Sequence, residues 1–587
     1  MKTLLQYSLF GSIILLFVCS ANKLVAQPNV VVILTDDQGW GDLSHSGNTN
    51  ISTPNIDNLA KNGASFVNYY VNPVCSPTRA EMLTGRYNFR GGVYHTSIGG
   101  ERLDLDETTI GDVFKNAGYK TAAYGKWHNG MQYPYHPNGR GFDDFYGFCS
   151  GHWGNYLSPI LEHNGKIVKG KGFIVDDLTN RGLDFIEKNK NNPFLLYLPY
   201  PTPHTPFHME DELWNSVKDR EIKMWSDKKS HEDMESTRAA IALCENIDWN
   251  VGRITKKLDK LGLTENTIIV YFHDNGPNRY RWNGGMKGKK GNTDEGGIRS
   301  PLFVQWKNHI KKIEIEEISS AADLLPTLAE LCDIDYSTNK KLDGKSLKPL
   351  IMDEKVNWAD RFIANSFRSR VSIRSQEFRL DEKGNLYRIV DDRGQKKIVN
   401  DKYPKEYKSH MDVMNDIKRQ VKEELPAKDP RPFIIGHPDA KYTQIPARDG
   451  KARGNIKRSN KYPNCSYFTN WTSVKDYISW NAEVAADGKF KVAVYYTCPK
   501  EDVGSTIQLA VGNSKISAQI TEAYNPDLQH MDKYRGKGFD AFTKKFNTLE
   551  MGEIELKKGD SLIKLSALDM KGKSVIDFRL MMFERIK

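Results

Sequence analysis

Three short segments hold residues whose types and spacing could do chemistry together. Asp36-Asp37 is an acidic pair, and His273-Asp274-Asn275-Gly276 is a second polar cluster. Cys75 lies in Pro73-Val74-Cys75-Ser76-Pro77-Thr78-Arg79-Ala80-Glu81. Brought to one point, Asp36, Asp37, Asp274 and Asn275 offer three carboxylates and an amide oxygen. Hard oxygen donors of this kind suit Ca²⁺ or Mg²⁺ rather than Zn²⁺. Taken singly, each cluster reads first as a turn or a helix cap, where Asp and Asn are favoured. Taken together, the carboxylates would repel one another unless a cation neutralised them. Pro77 and Thr78 suit a helix start, which sets Cys75 just before a helix N-terminus. Backbone N–H groups there, with Arg79 one turn in, favour an anion. A phosphatase using a thiolate needs its Arg six residues after the Cys. Glu81 stands there instead and would repel phosphate, which excludes that chemistry.

The elements that must position these residues can be read from the apolar runs. Residues 29–34 and 267–272 are buried strands by composition, each ended by one of the polar clusters. Further strands are expected at 119–124, 194–198 and 302–304, and helices at 109–117, 238–261 and 321–331. Strands alternating with helices argue an α/β fold, a mostly parallel sheet sandwiched by helices. Ligands of such sheets bind beyond the carboxyl ends of the strands, which is where the polar clusters fall. From about 356 the pattern changes to short alternating strands and a charged helix near 407–424, a small antiparallel subdomain completing the first domain (356–428). A Pro-rich stretch, 427–432, reads as a linker. Residues 433–587 carry runs such as 490–496, 505–511 and 560–565 between turn signals, the pattern of an all-β sandwich.

At 587 residues the chain is too long for one hydrophobic core. Apolar residues at 39% and charged residues at 27% exclude a coiled coil, a collagen-like fibre and a wholly disordered chain. A mean hydropathy of −0.60 excludes a multi-pass membrane protein. The one long apolar stretch is at the start, where Lys2 precedes residues 9–18 and Ala26 can end a cleavage site. Residues 1–26 therefore read as a signal peptide, implying a periplasmic or secreted protein with no transmembrane segment. A lipid anchor at Cys19 is the less favoured alternative, because Val18 stands where a small residue is wanted. Losing 1–26 removes Lys2 and Lys23 and no acid, so the net charge of +10 becomes +8. That balance favours a polyanionic substrate, but without a basic block it gives no nucleic-acid partner. Seven cysteines are too few for a disulfide scaffold. Cys465 and Cys498 could pair, whereas Cys149, Cys244 and Cys332 read as packing residues.

Cys75-Ser76-Pro77-Thr78-Arg79, with Ala80 and Thr84-Gly85-Arg86 behind it, resembles the signature of the type I sulfatases of the alkaline-phosphatase-like superfamily. The resemblance covers roughly 28–350, and the catalytic domain is set at 27–355. It implies that Cys75 is converted to formylglycine (3-oxoalanine) by a formylglycine-generating enzyme, and that the hydrated group supplies the nucleophilic oxygen. It also implies one Ca²⁺ held by Asp36, Asp37, Asp274, Asn275 and residue 75. Gly125-Lys126-Trp127-His128-Asn129-Gly130 is similar to a second family segment, with Asn129 in place of the more usual Leu. Pro203-His204-Thr205-Pro206 matches the segment whose His faces substrate. Residues 288–299 resemble the last motif, and the spacing to Glu295 selects Lys290 over Lys287 and Lys289. His273 stands where Ser is commoner. By this resemblance Lys126, Lys290 and the ion hold the sulfate oxygens, and Arg79 favours the ionised nucleophile. His204 protonates the leaving oxygen and contacts substrate, and His128 takes the proton that expels sulfate. The expected activity is that of a sulfuric ester hydrolase acting on a sulfated polysaccharide or its oligosaccharides. Algal polymers such as ulvan, carrageenan or fucoidan come first and glycosaminoglycans second. Other readings are a phosphate or phosphonate ester hydrolase of the same superfamily and a carbohydrate-binding protein whose Cys75 is never converted. The C-terminal module reads equally as a carbohydrate-binding domain or as a structural lid.

Overall fold

A computed structural model describes residues 27–425, 429–537 and 541–586. The expected signal peptide, Cys19, and Ala427 and Lys428 of the linker lie outside the described residues. The centre is an eleven-stranded sheet. Its middle strand, Asn29–Asp36, is buried along its whole length and lies parallel to Phe194–Pro203 on one side and Thr267–His273 on the other. Such burial requires both faces to be covered, and the strand's side chains divide accordingly. Val31 and Ile33 pack under the helices Pro54–Lys61, Ile174–Lys188 and Met234–Lys260. Val30, Val32 and Leu34 pack under Cys75–Thr84, Ile110–Asn116 and Leu324–Leu331.

The expectation of a mostly parallel sheet holds through the middle. The flanks are mixed. Arg299–Trp306 runs antiparallel to Thr267–His273 and to Ala64–Tyr70, and the hairpin Ile160–His163 with Lys166–Lys169 closes the far edge. Helix ends follow local chemistry. Thr109 and Asp112 form a capping box ahead of Ile110–Asn116, and Asp233 caps Met234–Lys260 a turn earlier than expected. Cys75 is the first residue of its helix, not the one before it.

Beyond the central sheet, four short antiparallel strands between Ile363 and Arg388 pack under the helix Pro404–Glu424. A buried ion cluster joins this unit to the central sheet. Glu295 receives Arg379 Nε at 2.7 Å and lies 3.3 Å from Arg299 Nη1 and 3.5 Å from Arg374 Nε. The remaining residues form two six-stranded sheets that enclose one core, in which Trp471, Trp480 and Phe578 are buried. Strand Tyr477–Val484 alternates buried and more exposed positions, as a half-buried sandwich strand must. Cys465 and Cys498 are both free thiols, so the pairing considered for them is not made. Cys465 lies 3.8 Å from Arg579 Nη2, and Cys498 Sγ faces the carbonyl of Pro499 at 3.4 Å. The sandwich docks on the first domain through buried polar contacts. Arg448 pairs with Glu101 at 2.7 Å, and Gln444 Nε2 donates to Glu162 at 2.7 Å.

Candidate functional site

Four neighbouring parallel strands deliver their carboxyl ends to one place. Thr267–His273 leads to Asp274 and Asn275, Asn29–Asp36 to Asp36 and Asp37, Phe194–Pro203 to His204, and Lys120–Lys126 to Lys126 and His128. The register slips between Thr35 and Asp36, and Asp37 has a φ of 63°, a left-handed conformation that costs an Asp of order 1–3 kcal/mol. Arg281 fixes this turn. Its Nη2 donates to the Asp37 carbonyl at 2.9 Å while the guanidinium pairs with Asp42. His128 is also left-handed, at φ 66°. Strain of this kind gathers where surrounding contacts over-determine the backbone.

The helix Cys75–Thr84 brings residue 75 into the same space. Cys75 Sγ lies 3.3 Å from Asp36 Oδ1 and 3.5 Å from Lys290 Nζ. Ligand atoms of Asp36, Asp37, Cys75 and Asp274 all lie within 4.8 Å of one another. Burial, then the nearby Asp36, pushes the Cys75 thiol far above its usual range, with Lys126 and Lys290 opposing. That shift disfavours the thiolate that a sulfur nucleophile needs. Asn275 Nδ2 donates to Asp37 Oδ1 at 2.8 Å, which turns its Oδ1 elsewhere. Asn275 Oδ1 and Asp37 Oδ2 are both buried and take no hydrogen bond. Two orphaned acceptors beside two further carboxylates fit a hard divalent cation, and the donor set is oxygen throughout once residue 75 carries oxygen.

The cations are arranged around these acids. Lys126 pairs with Asp36, Lys290 Nζ lies 2.5 Å from Asp37 Oδ1, and Arg79 Nη2 lies 2.9 Å from Asp274 Oδ2. Burial alone would raise Asp36, but Lys126, His204, Arg79 and Lys290 hold its carboxyl well below the ordinary range. Asp37 is lowered in the same way, with His204 and Lys290 overcoming burial. Asp274 moves the other way, to about 7, because burial and Asp36 outweigh Arg79. Arg79 is wholly buried and its other arm donates to the Lys126 carbonyl at 2.6 Å. It frames the acids and acts on residue 75 only through its field. Of the three lysines considered in the last motif, only Lys290 reaches Cys75. Lys287 pairs with Asp294 at 3.2 Å, and Lys289 Nζ donates to the Asn278 carbonyl at 3.4 Å.

The two histidines hold defined tautomers. His128 Nε2 donates to the Thr96 carbonyl at 2.9 Å, leaving Nδ1 as a basic nitrogen with no partner. Burial, then Lys126, keeps its pKa well below normal, so the ring is neutral. Gly151 makes room for it, since a Cβ there would fall 2.1 Å from His128 Nε2. His204 Nδ1 donates to the Thr205 carbonyl at 2.7 Å and turns Nε2 towards Asp37 Oδ2 at 3.5 Å. Burial lowers its pKa and Asp37 opposes the shift. Asp37, Cys75, His128, His204 and Lys290 line one cavity of about 470 Å³.

The two departures from the expected motifs have structural partners. Asn129 is buried and donates to the carbonyls of Ser76 and Glu101 at 3.3 and 3.4 Å. His273 Nε2 lies 3.3 Å from the Tyr271 hydroxyl, outside the acidic cluster. Sequence reasoning missed several residues of the cavity: His152, whose ring meets His204 at 5.2 Å, and also Thr96, Gly151, Tyr462 and Asn464. His152 had a usable signal in Ser150-Gly151-His152-Trp153-Gly154, a histidine between glycines after a strand. Tyr462 and Asn464 had none, because they arrive from the sandwich.

A family model described as Sulfatase matches residues 28–334, just over half of the chain. The uncharacterized sulfatase YdeN of Escherichia coli strain K12 is 32% identical over 384 residues, 56% of this chain and 67% of that protein. N-acetylgalactosamine-6-sulfatase of Mus musculus is 30% identical over 381 residues, 58% of this chain and 70% of the enzyme. The crystal structure of Ps i-CgsB in complex with k-i-k-neocarrahexaose superposes with a TM-score of 0.61 at 29% identity. It covers 68% of this chain and 94% of that one. The match spans the strands and the helix that deliver the acids and Cys75: the chain belongs to the sulfatase family of the alkaline-phosphatase-like superfamily and is a sulfuric ester hydrolase.

Proposed function

We propose that this protein is exported and removes sulfate from a sulfated polysaccharide or its oligosaccharides. The observation that carries the reading is the meeting of Cys75, Asp36, Asp37, Asp274, Asn275 and Lys290 at the base of a cavity that Asp37, Cys75, Lys290, His128 and His204 line. Asp36, Asp37, Asp274, Asn275 and residue 75 would hold Ca²⁺. That ion and the formylglycine derived from Cys75 would supply a Lewis acid for the sulfate oxygens and an oxygen nucleophile for sulfur. Three carboxylates already face three fixed cations, so a divalent ion leaves an excess of positive charge that suits an anionic ester.

The chain's own groups do the rest. Lys290 and Lys126 bind the sulfate oxygens and draw the ester down onto residue 75. Arg79 keeps Asp274 and the Lys126 backbone in register. As the sulfur–oxygen bond of the ester breaks, His204 acts as the imidazolium that Asp37 favours beside it, and gives the Nε2 proton to the departing sugar oxygen while its Nδ1–H stays anchored on Thr205. His128 would take up at Nδ1, which its bond to Thr96 leaves free, the proton released by a hydroxyl of the converted residue 75 as sulfate departs.

A carbohydrate substrate is supported by the names of the relatives: one acts on N-acetylgalactosamine 6-sulfate groups, and another is bound to a neocarrahexaose. Algal polymers such as carrageenan, ulvan or fucoidan are the first candidates. Glycosaminoglycans are the second reading, favoured by the 30% identity to N-acetylgalactosamine-6-sulfatase. The test is sulfate release, by ion chromatography, from a panel of both classes and their oligosaccharides. The protein would be co-expressed with a formylglycine-generating enzyme, beside Cys75→Ala. Release from one substrate that falls at least about a thousandfold in the variant is expected. Silence across the panel with residue 75 converted would overturn the carbohydrate reading.

A further inference from the structure

The sandwich reaches into the catalytic cavity. Between its strands Lys457–Arg458 and Phe468–Thr469, the chain bends over the first domain, and Tyr462, Asn464 and the later residue Ala541 line the cavity. The loop is held there by partners on the catalytic side. Asn464 Nδ2 donates at 2.9 Å to the Thr96 carbonyl, the same oxygen that takes His128 Nε2. Ser150 Oγ donates to the Asn464 carbonyl at 2.6 Å. Arg448 Nη1, whose guanidinium is paired with Glu101, donates to Asn464 Oδ1 at 3.2 Å. Tyr462, two residues earlier, is 59% exposed although it borders a pocket. Phe367 of the four-stranded sheet and Arg279 of the catalytic domain line the same cavity.

A sulfate group fills only part of 470 Å³, and the ester's other half must lie between the sulfate floor and this rim. A pyranose has an apolar C–H face and a polar edge. It matches an exposed aromatic ring that is fixed at its backbone, with hydrogen-bonding groups around it. We propose that residues 460–464 of the sandwich form the sugar subsite of the active site, with Tyr462 as the stacking face and Asn464 as the anchor of the loop. The sandwich is then a part of the catalytic site, neither a detached binding module nor a passive lid. This inference rests on the sulfatase reading.

The experiment uses the full chain with residue 75 converted and the oligosaccharide that gives the most sulfate. Tyr462→Ala should raise KM at least about tenfold, while kcat stays within about threefold. Tyr462→Phe, which keeps the ring, should restore KM to near the wild-type value. An unchanged KM in Tyr462→Ala, or a Phe variant as impaired as the Ala variant, would overturn the subsite while leaving the sulfatase reading intact. If the wild type releases no sulfate from any oligosaccharide, the carbohydrate reading fails first. Calorimetric titration of the same oligosaccharides into Cys75→Ala, with and without Tyr462→Ala, then decides the subsite. Binding weakened about tenfold by the second change supports it, and equal affinity or no binding overturns it.

Discussion

Glu295 and Asp37 are both fully buried carboxylates that face cations, and the two surroundings differ in what they leave undone. Around Glu295 three arginines converge on one acid. Its oxygens take Arg379 Nε and the Tyr70 hydroxyl, and Arg374 and Arg379 also lie over the Tyr70 ring. The arginines' other donors reach the carbonyls of Thr293, Ser375 and Val67. Around Asp37 three cations face three acids, yet Asp37 Oδ2 and Asn275 Oδ1 remain without hydrogen bonds. A cluster whose carboxylate oxygens are taken up by its own arginines and tyrosine fastens the four-stranded unit to the central sheet. A cluster that keeps acceptors open at one point is organised for something the chain does not contain. Burial and charge alone would have scored the two alike; the orphaned oxygens separate them.

The contrast can be broken at Glu295. Removing that charge strands three buried arginines, so Glu295→Gln should cost about 3–5 kcal/mol and lower the unfolding temperature by several degrees. The effect carries a pH signature. Burial would raise Glu295, but Arg379, Arg374 and Arg299 bring it down from 4.5 to about 2. A depressed carboxylate stabilises the fold above its unfolded value and loses that contribution as pH falls towards the folded one. The gap in unfolding temperature between wild type and Glu295→Gln should therefore be full at neutral pH and narrow below pH 4.5. A gap that did not close in acid would show that packing, not charge, holds this joint.

The open cluster should answer to a cation and the closed one should not. Chelation of the purified protein should lower its unfolding temperature, and Ca²⁺ should restore it. The gain is about 2.7 kcal/mol when the ion is present at a hundred times its dissociation constant. Asp274→Asn should abolish the response and Glu295→Gln should keep it. An unfolding temperature indifferent to chelator and Ca²⁺ would remove the metal from this site, whatever the activity.

Most of the chemistry was legible because it is local. Cys75 to Arg79 are five consecutive residues, and each acidic cluster directly follows a run of β-branched residues that only a buried strand explains. The spacing from Glu295 selected Lys290 because only a short turn separates the two, directly ahead of the helix Glu295–Ile298. Other features were not local. Ala64–Tyr70 was missed as a strand because Ser65 and Asn68 interrupt its apolar pattern, although it pairs on both sides. The edge hairpin at 160–169 is largely polar and half-exposed, so it carries no burial signal. Tyr462 and Asn464 lie more than 330 residues from His128, and a loop of ordinary turn composition gives no sign of where it will dock. Tertiary closure alone makes them part of the cavity.

Lys290 is where sequence spacing and geometry can be set against each other most finely. Its ammonium lies 2.5 Å from Asp37 and 3.5 Å from Cys75, whereas Lys287 and Lys289 are engaged elsewhere. If it clamps a sulfate oxygen, Lys290→Ala should lower sulfate release at least about tenfold, about 1.4 kcal/mol of transition-state stabilisation. The loss should exceed those of Lys287→Ala and Lys289→Ala measured beside it. The fold should tolerate the change, because Lys290 sits at the open end of the cluster and Asp37 keeps His204 and the Asn275 amide beside it once the ammonium is gone. Activity close to wild type in Lys290→Ala would mean that the ammonium serves Asp37 alone. The sulfate would then be held by Lys126 and the ion, and the open cluster would be a metal site with a structural lysine at its rim.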